Sequence, residues 1–544
     1  MRVIAAVAVV AGALAACSDP GASADAGSSV SDTGVSAGDG GVGDAVQDTE
    51  ADATDPFGGK DALTDGGDPS DASDASDGMA TGDAAAEVAP QDAGAGDAGE
   101  APCPPIEHSP LTQIELGDIP IAAASEEALT LHWRRALPGE AFTTVPLAGS
   151  ATIPGSAVTF AGIDYWIGSS CASHPAGAPA EVHHVDVIGE LRITTDPGVY
   201  DYLPDVDGHR VVWAKEEKGG TADNVYLFDL HTFQTTKLTS LQKPQGDAHI
   251  SGDNVVWVDG RNAESAWDPN QDVYLWDLAA GKESPLATAP LGQYGVAIAG
   301  RIVAWRDDRH MSGPIDGDIY LFDLGPDGVL GTGDDQGEHR LTPHPADQTA
   351  PAVAVDADGR ARVVWADMRD DADGKCDQVC DWNIYLHDAG PDGVFGTEDD
   401  QGPLQVTSHP AEQHSPSTWG RRIAWLDARG GNWLDPDVWV YDLGPDHVLG
   451  TADDGGESQL PVPVVEPGHL SMWGDRMVYE DFRNETWDLW LWDFAKGTEA
   501  PLVTEPFGQF YPRVQGRTVV WQDARNNGVD GEAFDDIYVR VLPK

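Results

Sequence analysis

Positive charge is scarce in this chain. Its 31 Lys and Arg stand against 92 Asp and Glu, a formal net charge of −61. Phosphate backbones are gripped by clustered Lys and Arg, so this balance excludes nucleic acid as a partner. It suits a very soluble surface, or one that gathers divalent cations. Long apolar runs are missing too. The stretch Met1–Ala16, with one early charge at Arg2, is too short for a stable spanning helix and has the make-up of a secretory signal. Catalytic signatures are also wanting: there is no nucleophile elbow between a strand and a helix, no His-Glu-x-x-His and no P-loop. Cysteine is limited to five.

What fills the C-terminal two-thirds is a repeated cassette. In its clearest copy, Val303-Ala304-Trp305-Arg306-Asp307-Asp308-Arg309 leads through a polar loop to Asp318-Ile319-Tyr320-Leu321-Phe322 and a short His339-Arg340-Leu341-Thr342 segment. The aromatic of the first strand recurs at Trp213, Trp257, Trp305, Trp365, Trp425, Tyr479 and Trp521. The spacing of about 42 to 60 residues is that of a propeller blade. Each copy turns at a glycine (Gly208, Gly252, Gly300, Gly359, Gly420, Gly474, Gly516) before the Val-Val-Trp strand. The Asp-Ile-Tyr-Leu strand is apolar on both faces, as a strand covered by neighbouring sheets should be. The expected fold is therefore all-β, a seven-bladed propeller of four-stranded blades. The last copy ends after Asp536–Leu542 without a fourth strand, and Leu191-Arg192-Ile193-Thr194 stands unused ahead of the first. That N-terminal strand is expected to complete the last blade and bury two open edges.

The expected division is a signal at 1–16, a linker at 17–102, a small β-rich region at 103–189 and the propeller at 190–544. The signal ends Leu14-Ala15-Ala16-Cys17. This resembles the lipobox of bacterial lipoproteins, and the resemblance implies cleavage before Cys17, lipidation of its thiol and tethering to the outer membrane. From Ser18 to Ala101 there are about twenty acidic residues against the single Lys60, in a background of Ala, Gly, Ser and Thr. Such a segment cannot bury enough apolar surface to offset its ordering entropy, so a disordered spacer is expected. As a random coil of about 85 residues it spans roughly 50 Å. With Cys17 set aside, Cys103, Cys171, Cys376 and Cys380 form an even set suited to an oxidising compartment. Pairing of Cys376 with Cys380 and of Cys103 with Cys171 is expected. A Cys-x3-Cys metal site is the competing reading, and it lacks a second Cys or His pair nearby.

Three features carry chemistry. The first is Trp-x-Asp-x-Arg, as in Trp305/Asp307/Arg309, which places three side chains on one strand face. An active site is singular, whereas this signature recurs from blade to blade, so a structural role is expected. The second is a set of loops at 325–335, 390–400 and 444–454 with closely spaced carboxylates. Asp327, Asp334, Asp335, Asp392, Asp399, Asp400, Asp446, Asp453 and Asp454 are candidate calcium ligands, since that ion takes six to eight oxygens from such loops. A hairpin tip rich in turn residues is the alternative. The third lies twelve residues before the aromatic: Gln245, Gln293, Gln413 and Gln509, with Gln348 equivalent after a short insertion. If the first strands line a channel, these ring one mouth, with Tyr294, His414, His469, Phe510 and Tyr511 beside them. Such a funnel could take a ligand or peptide, and blade-to-blade hydrogen bonding by the repeated Gln is the structural alternative.

From about Leu191 onward the cassette resembles the TolB-like β-propeller repeats of exported bacterial proteins. It lacks the Ser-Pro-Asp-Gly turn of TolB, which has six blades and no lipid. The resemblance implies the propeller fold and a habit of protein binding. The function expected is a lipid-anchored, extracytoplasmic, monomeric module that binds an envelope protein or a glycan without catalysis. A polysaccharide lyase or glycosidase on the same scaffold is the alternative.

Overall fold

The computed structural model describes residues 107–124, 128–169, 181–219, 222–263, 270–311, 316–371, 381–432, 435–527 and 534–544. The expected signal, lipobox and linker, and all five cysteines with their pairings, lie outside these residues. Among the described residues no helix is long and apolar enough to cross a membrane.

Strands dominate. Six antiparallel four-stranded sheets follow one another in chain order, and the third shows the plan: Gln293–Ala299, Ile302–Asp307, Asp318–Asp323 and Gly337–Arg340 pair in sequence. The expectation of seven such blades is corrected to six. The seventh repeat makes no four-stranded sheet of its own. Its strands Gln509–Gln515, Thr518–Asp523 and Asp536–Val541 enter an eight-stranded sheet, joined by His183–Arg192 and then by Ile163–Ser169, Leu129–Arg135 and Thr143–Leu147. An open edge explains the difference: a last repeat lacking a fourth strand pairs with whatever strand is offered, and that strand already belongs to another hairpin.

The expected pairing of the N-terminal strand with the last repeat is present. Tyr538 opposes Arg192, Val539 opposes Leu191 and Val541 opposes Gly189. Glu190 clasps the joint by pairing with both Arg525 (2.7 Å) and Arg540 (2.5 Å). The expected boundary at 189/190 thus falls within one continuous strand. Upstream, Gly155–Ala157 is a 3-10 turn, and Val158 packs into a core with Ile119, Leu131, Ile153, Ile163 and Val185.

Packing explains the signature aromatic. Between every two neighbouring repeats lies a buried cluster that both share. Trp305 and Tyr320 of the third blade lie against Val256, Val273 and Leu275 of the second. Trp365 lies against Ile302, Ile319 and Leu321 in the same way. The last repeat makes such a cluster on both sides, Trp521 with Val478 and Leu489 of the sixth blade, Val520 and Ile537 with Val211 and Trp213 of the first. No sheet covers its own faces; each buries them on its neighbours. The seven turn glycines all have positive φ, between 54° and 91°, a conformation that costs other residues about 1 kcal/mol or more.

Candidate functional site

The repeated signature is a clasp. In five repeats the Trp indole N–H donates to the Asp two residues on, at 2.6 to 3.0 Å. The Arg two residues further pairs with the same carboxylate at 2.5 to 2.7 Å, and its backbone N–H caps the other oxygen. The guanidinium then stacks on the aromatic of the third strand, 4.4 Å above the Tyr320 ring in the third blade. Asp259, Asp307, Asp367, Asp427 and Asp523 are fully buried. Repetition and saturation together make this a structural element. In the sixth blade Tyr479 replaces Trp, and its hydroxyl goes to Glu499 while Arg483 keeps Asp481. The first blade, which lacks the signature, rebuilds it: Trp213 donates to Asp201 at 2.7 Å, and Lys215 stands 3.7 Å from that carboxylate. Asp201 occupies the position that elsewhere holds Gln. Burial raises its pKa to about 6 against the pull of Lys215 and Trp213.

The glutamines are not a ligand-lined ring. Gln245, Gln293, Gln348, Gln413 and Gln509 are completely buried. The side chain of Gln245 donates to Asp259 (2.8 Å), those of Gln293 and Gln348 to the carbonyls of Leu291 (3.1 Å) and Ala346 (2.5 Å), and that of Gln413 to Ala411. Gln509 donates to Glu505 and Phe507. Blade-to-blade bonding is made by their backbones instead: the N–H of Gln293 donates to Gln271, that of Gln348 to Gly317 and that of Gln413 to Trp382, each on the preceding blade.

Two residues past each Gln the first strand bulges. Asp247, Ala350, Ser415 and Tyr511, with Leu203 in the first blade, all hold φ near +52°, and the ladder registers slip at the same place. Such bulges re-aim side chains at the ends of strands. Here two sets of rings from the last two repeats meet beside them. His469 Nδ1 lies 3.0 Å from Glu480 Oε1, and its ring is 4.2 Å from that of Tyr511. Phe510 faces Trp487 at 6.5 Å, which in turn meets Phe482 at 5.3 Å. Burial lowers the pKa of His414 to about 4, with His469 adding to the effect, so its ring is neutral. Tyr294 is set apart. Its hydroxyl is bonded to Asp308 and to Arg306 (3.2 Å), and Arg306 continues to Asp347 at 2.7 Å.

A second group was invisible in the sequence. His249 sits between Asp205 (Nδ1, 3.2 Å) and Asp247 (Nε2, 3.3 Å), with Arg513 Nε 4.0 Å from Asp205. Asp205, His249 and Arg513 come from the first strands of the first, second and last repeats, four residues past Asp201, Gln245 and Gln509, and Asp247 is the bulge residue of the second. The available signal was that Ala297 and Ser417 stand there in other copies. Burial works to lower the pKa of His249, but the two carboxylates outweigh it and raise it to about 9. The folded state therefore holds a proton that the unfolded chain releases near pH 6.5. This contribution is complete below about 6.5 and is lost as pH climbs through about 9. The thermal midpoint is expected to fall across that window, and His249→Gln to flatten the fall; an unchanged slope in the variant would refute the assignment.

The aspartate loops lie at the other end of the blades. They follow the third strand, whereas the glutamines start the first, so about six residues of strand, roughly 20 Å, separate them. All three share one internal pattern. Asp327 accepts from the N–H of Val329 (2.8 Å), Asp334 from that of Asp327 (3.1 Å) and Asp335 from that of Gly331 (2.8 Å). The same bonds recur at Asp392, Asp399 and Asp400 and at Asp446, Asp453 and Asp454. Hydrogen bonds from Thr332, Thr397 and Thr451 hold Asp334, Asp399 and Asp453 below the ordinary carboxylate pKa. The loops also staple blades together: Asn254 donates to Gly328 (2.8 Å), Arg301 to Gly393 and Arg360 to Asp446 (3.4 Å). His447, in place of the glycine of the other two loops, reaches Asp356 at 2.7 Å.

No family model and no curated protein sequence matches the chain. Among solved structures it is similar to the β-propeller domain of the trilobed protease of Pyrococcus furiosus (11% identity, 64% of this chain and 94% of that one, TM-score 0.43). It is similar also to an oligogalacturonate lyase in complex with manganese (15%, 65% and 93%, TM-score 0.44). A third is TolB from Acinetobacter baumannii (14%, 57% and 67%, TM-score 0.35). Likenesses this distant leave the architecture to rest on the chain's own strand pairing and say nothing of what it binds.

Proposed function

We propose that the chain is a non-catalytic binding module of the cell envelope, tethered by a lipid on Cys17, which takes a protein or a glycan where its first strands begin. The reading is supported by two sets of rings where those strands begin, His469 with Tyr511 and Phe510 with Trp487 and Phe482, whose faces suit a sugar or an apolar side chain. Tyr294, by contrast, is engaged by Asp308 and Arg306, and burial with the Asp308 charge pushes its pKa upward, which suits it poorly to act as a base. The aspartate loops are calcium sites on the opposite face; Asp446, Asp453 and Asp454 offer oxygens within 4.8 Å of one another.

One observation favours the enzymatic alternative. His469 is oriented by Glu480, the arrangement of a base held by a carboxylate. A screen of the purified protein against envelope glycans and extracts, following both capture and new unsaturated products, separates the two. Capture weakened at least about tenfold by Phe510→Ala, about the loss of one well-buried aromatic contact, with no product formed, is the expected result. Turnover abolished by His469→Ala would overturn it. Melting with and without a calcium chelator, on the same sample, tests the loops: the midpoint should fall on chelation.

A further inference from the structure

The carboxylate that ends the third strand is neutralised by a cation in most blades. Arg301 pairs with Asp323 at 2.9 Å, Arg360 with Asp388 at 2.8 Å, Arg421 with Asp442 at 3.1 Å, and Lys496 with Asp493 at 2.7 Å. In the first blade this residue is Asp229, and among the described residues no Lys or Arg reaches it. Two imidazoles stand there. His209 comes from the turn between the first and second strands, where the third and fifth blades carry Arg301 and Arg421. His231 comes from the tight turn that replaces the long aspartate loop. They offer lone pairs in place of a fixed positive charge.

The geometry points to a transition-metal site. We propose that His209, Asp229 and His231 bind a divalent ion of the zinc class, with a fourth position left to water or an outside ligand. One donor atom from each of the three lies within 4.8 Å of the others. His209 Nε2 and Asp229 Oδ2 are 3.5 Å apart. Two ligands on a tetrahedral ion with bonds of about 2.0–2.1 Å are separated by about 3.3 Å, so this edge is already formed. The other oxygen of Asp229 is fixed by the backbone N–H groups of His231 (2.7 Å) and Thr232 (3.0 Å), which turns Oδ2 toward His209. Support of that kind orients a metal's ligands. The two rings lie parallel with centroids 4.2 Å apart, so the His231 ring has to turn out of this stack for its lone pair to meet that of His209 on one ion. Two nitrogens and one carboxylate favour zinc, cobalt, nickel or copper over calcium. The site is thereby chemically distinct from the all-oxygen aspartate loops.

The test is titration of the full chain, stripped by chelator, with Co²⁺ followed by its visible absorption and with Zn²⁺ by competition, in excess Ca²⁺ to saturate the loops. One equivalent of Zn²⁺ that displaces Co²⁺ and is indifferent to Ca²⁺ is expected. His209→Ala and His231→Ala should each weaken it at least about tenfold, a loss that even outer partners of a ligand can cause, with the circular dichroism spectrum unchanged. Because both residues sit in exposed turns, a variant that fails to fold is replaced by the corresponding Asn variant, which keeps a polar turn. Absence of stoichiometric Zn²⁺ binding, or binding unaltered in the double variant, would overturn the proposal.

Discussion

Asp307→Ala is expected to cost about 3 kcal/mol or more in unfolding free energy, because it leaves the Trp305 indole and the Arg309 guanidinium without their shared buried acceptor. The carboxylate itself is fully buried, while Arg309 is partly exposed and can recruit water, which places the cost near the lower end of the range for broken buried pairs. Glu338→Ala is the contrast. Glu338 also pairs with Arg309, at 2.7 Å, but near solvent, and its loss should cost at most about 1 kcal/mol. Denaturant unfolding of the two variants side by side measures the difference. Equal effects would mean that the clasp is held by packing alone.

Ile193→Pro should open the joint between the two ends of the folded chain. The Ile193 N–H donates to Ile537 at 2.8 Å, just beyond the paired residues Arg192 and Tyr538, and proline has no N–H to give. The carbonyl of Ile537, whose residue is fully buried, would be stranded. The cost expected is roughly 3 kcal/mol, from the lost bond, the unpaired acceptor and the displaced side chain. Hydrogen exchange at the amides of 536–541 should accelerate well before the remaining blades open, since local openings follow cooperative units. Ile193→Val, which keeps the N–H, should leave that exchange slow. Unchanged protection at 536–541 in the proline variant would show that the joint does not hold the ring.

Much of this architecture is legible along the chain because a blade is a local object. Its strands are consecutive, its turns carry glycine at the required φ, and its clasp spans five residues. The functional side chains are another matter. Gln293 looked like a rim residue because its repetition is visible while its depth is not, and it is wholly buried. Tyr294 looked available because Arg306 and Asp308, which engage it, come from the next strand, and Asp347, which holds Arg306, lies more than fifty residues beyond Tyr294. The partnership of His249 with Asp205 crosses from one sheet to the next, where sequence spacing carries no information. The missing fourth strand of the last repeat was readable, but not that its substitute already belonged to a larger sheet.

The sequence by itself determined the repeat, the strand order within each blade and which strands carry apolar residues on both faces, since hydrogen-bond registers and apolar periodicity act over a few residues. Only the tertiary structure decided how many blades stand alone, which rings and carboxylates meet at the ends of the first strands, and that His209, Asp229 and His231 face one another. Those contacts depend on the twist and stacking of whole sheets, and two side chains brought together that way leave no mark in the spacing between them.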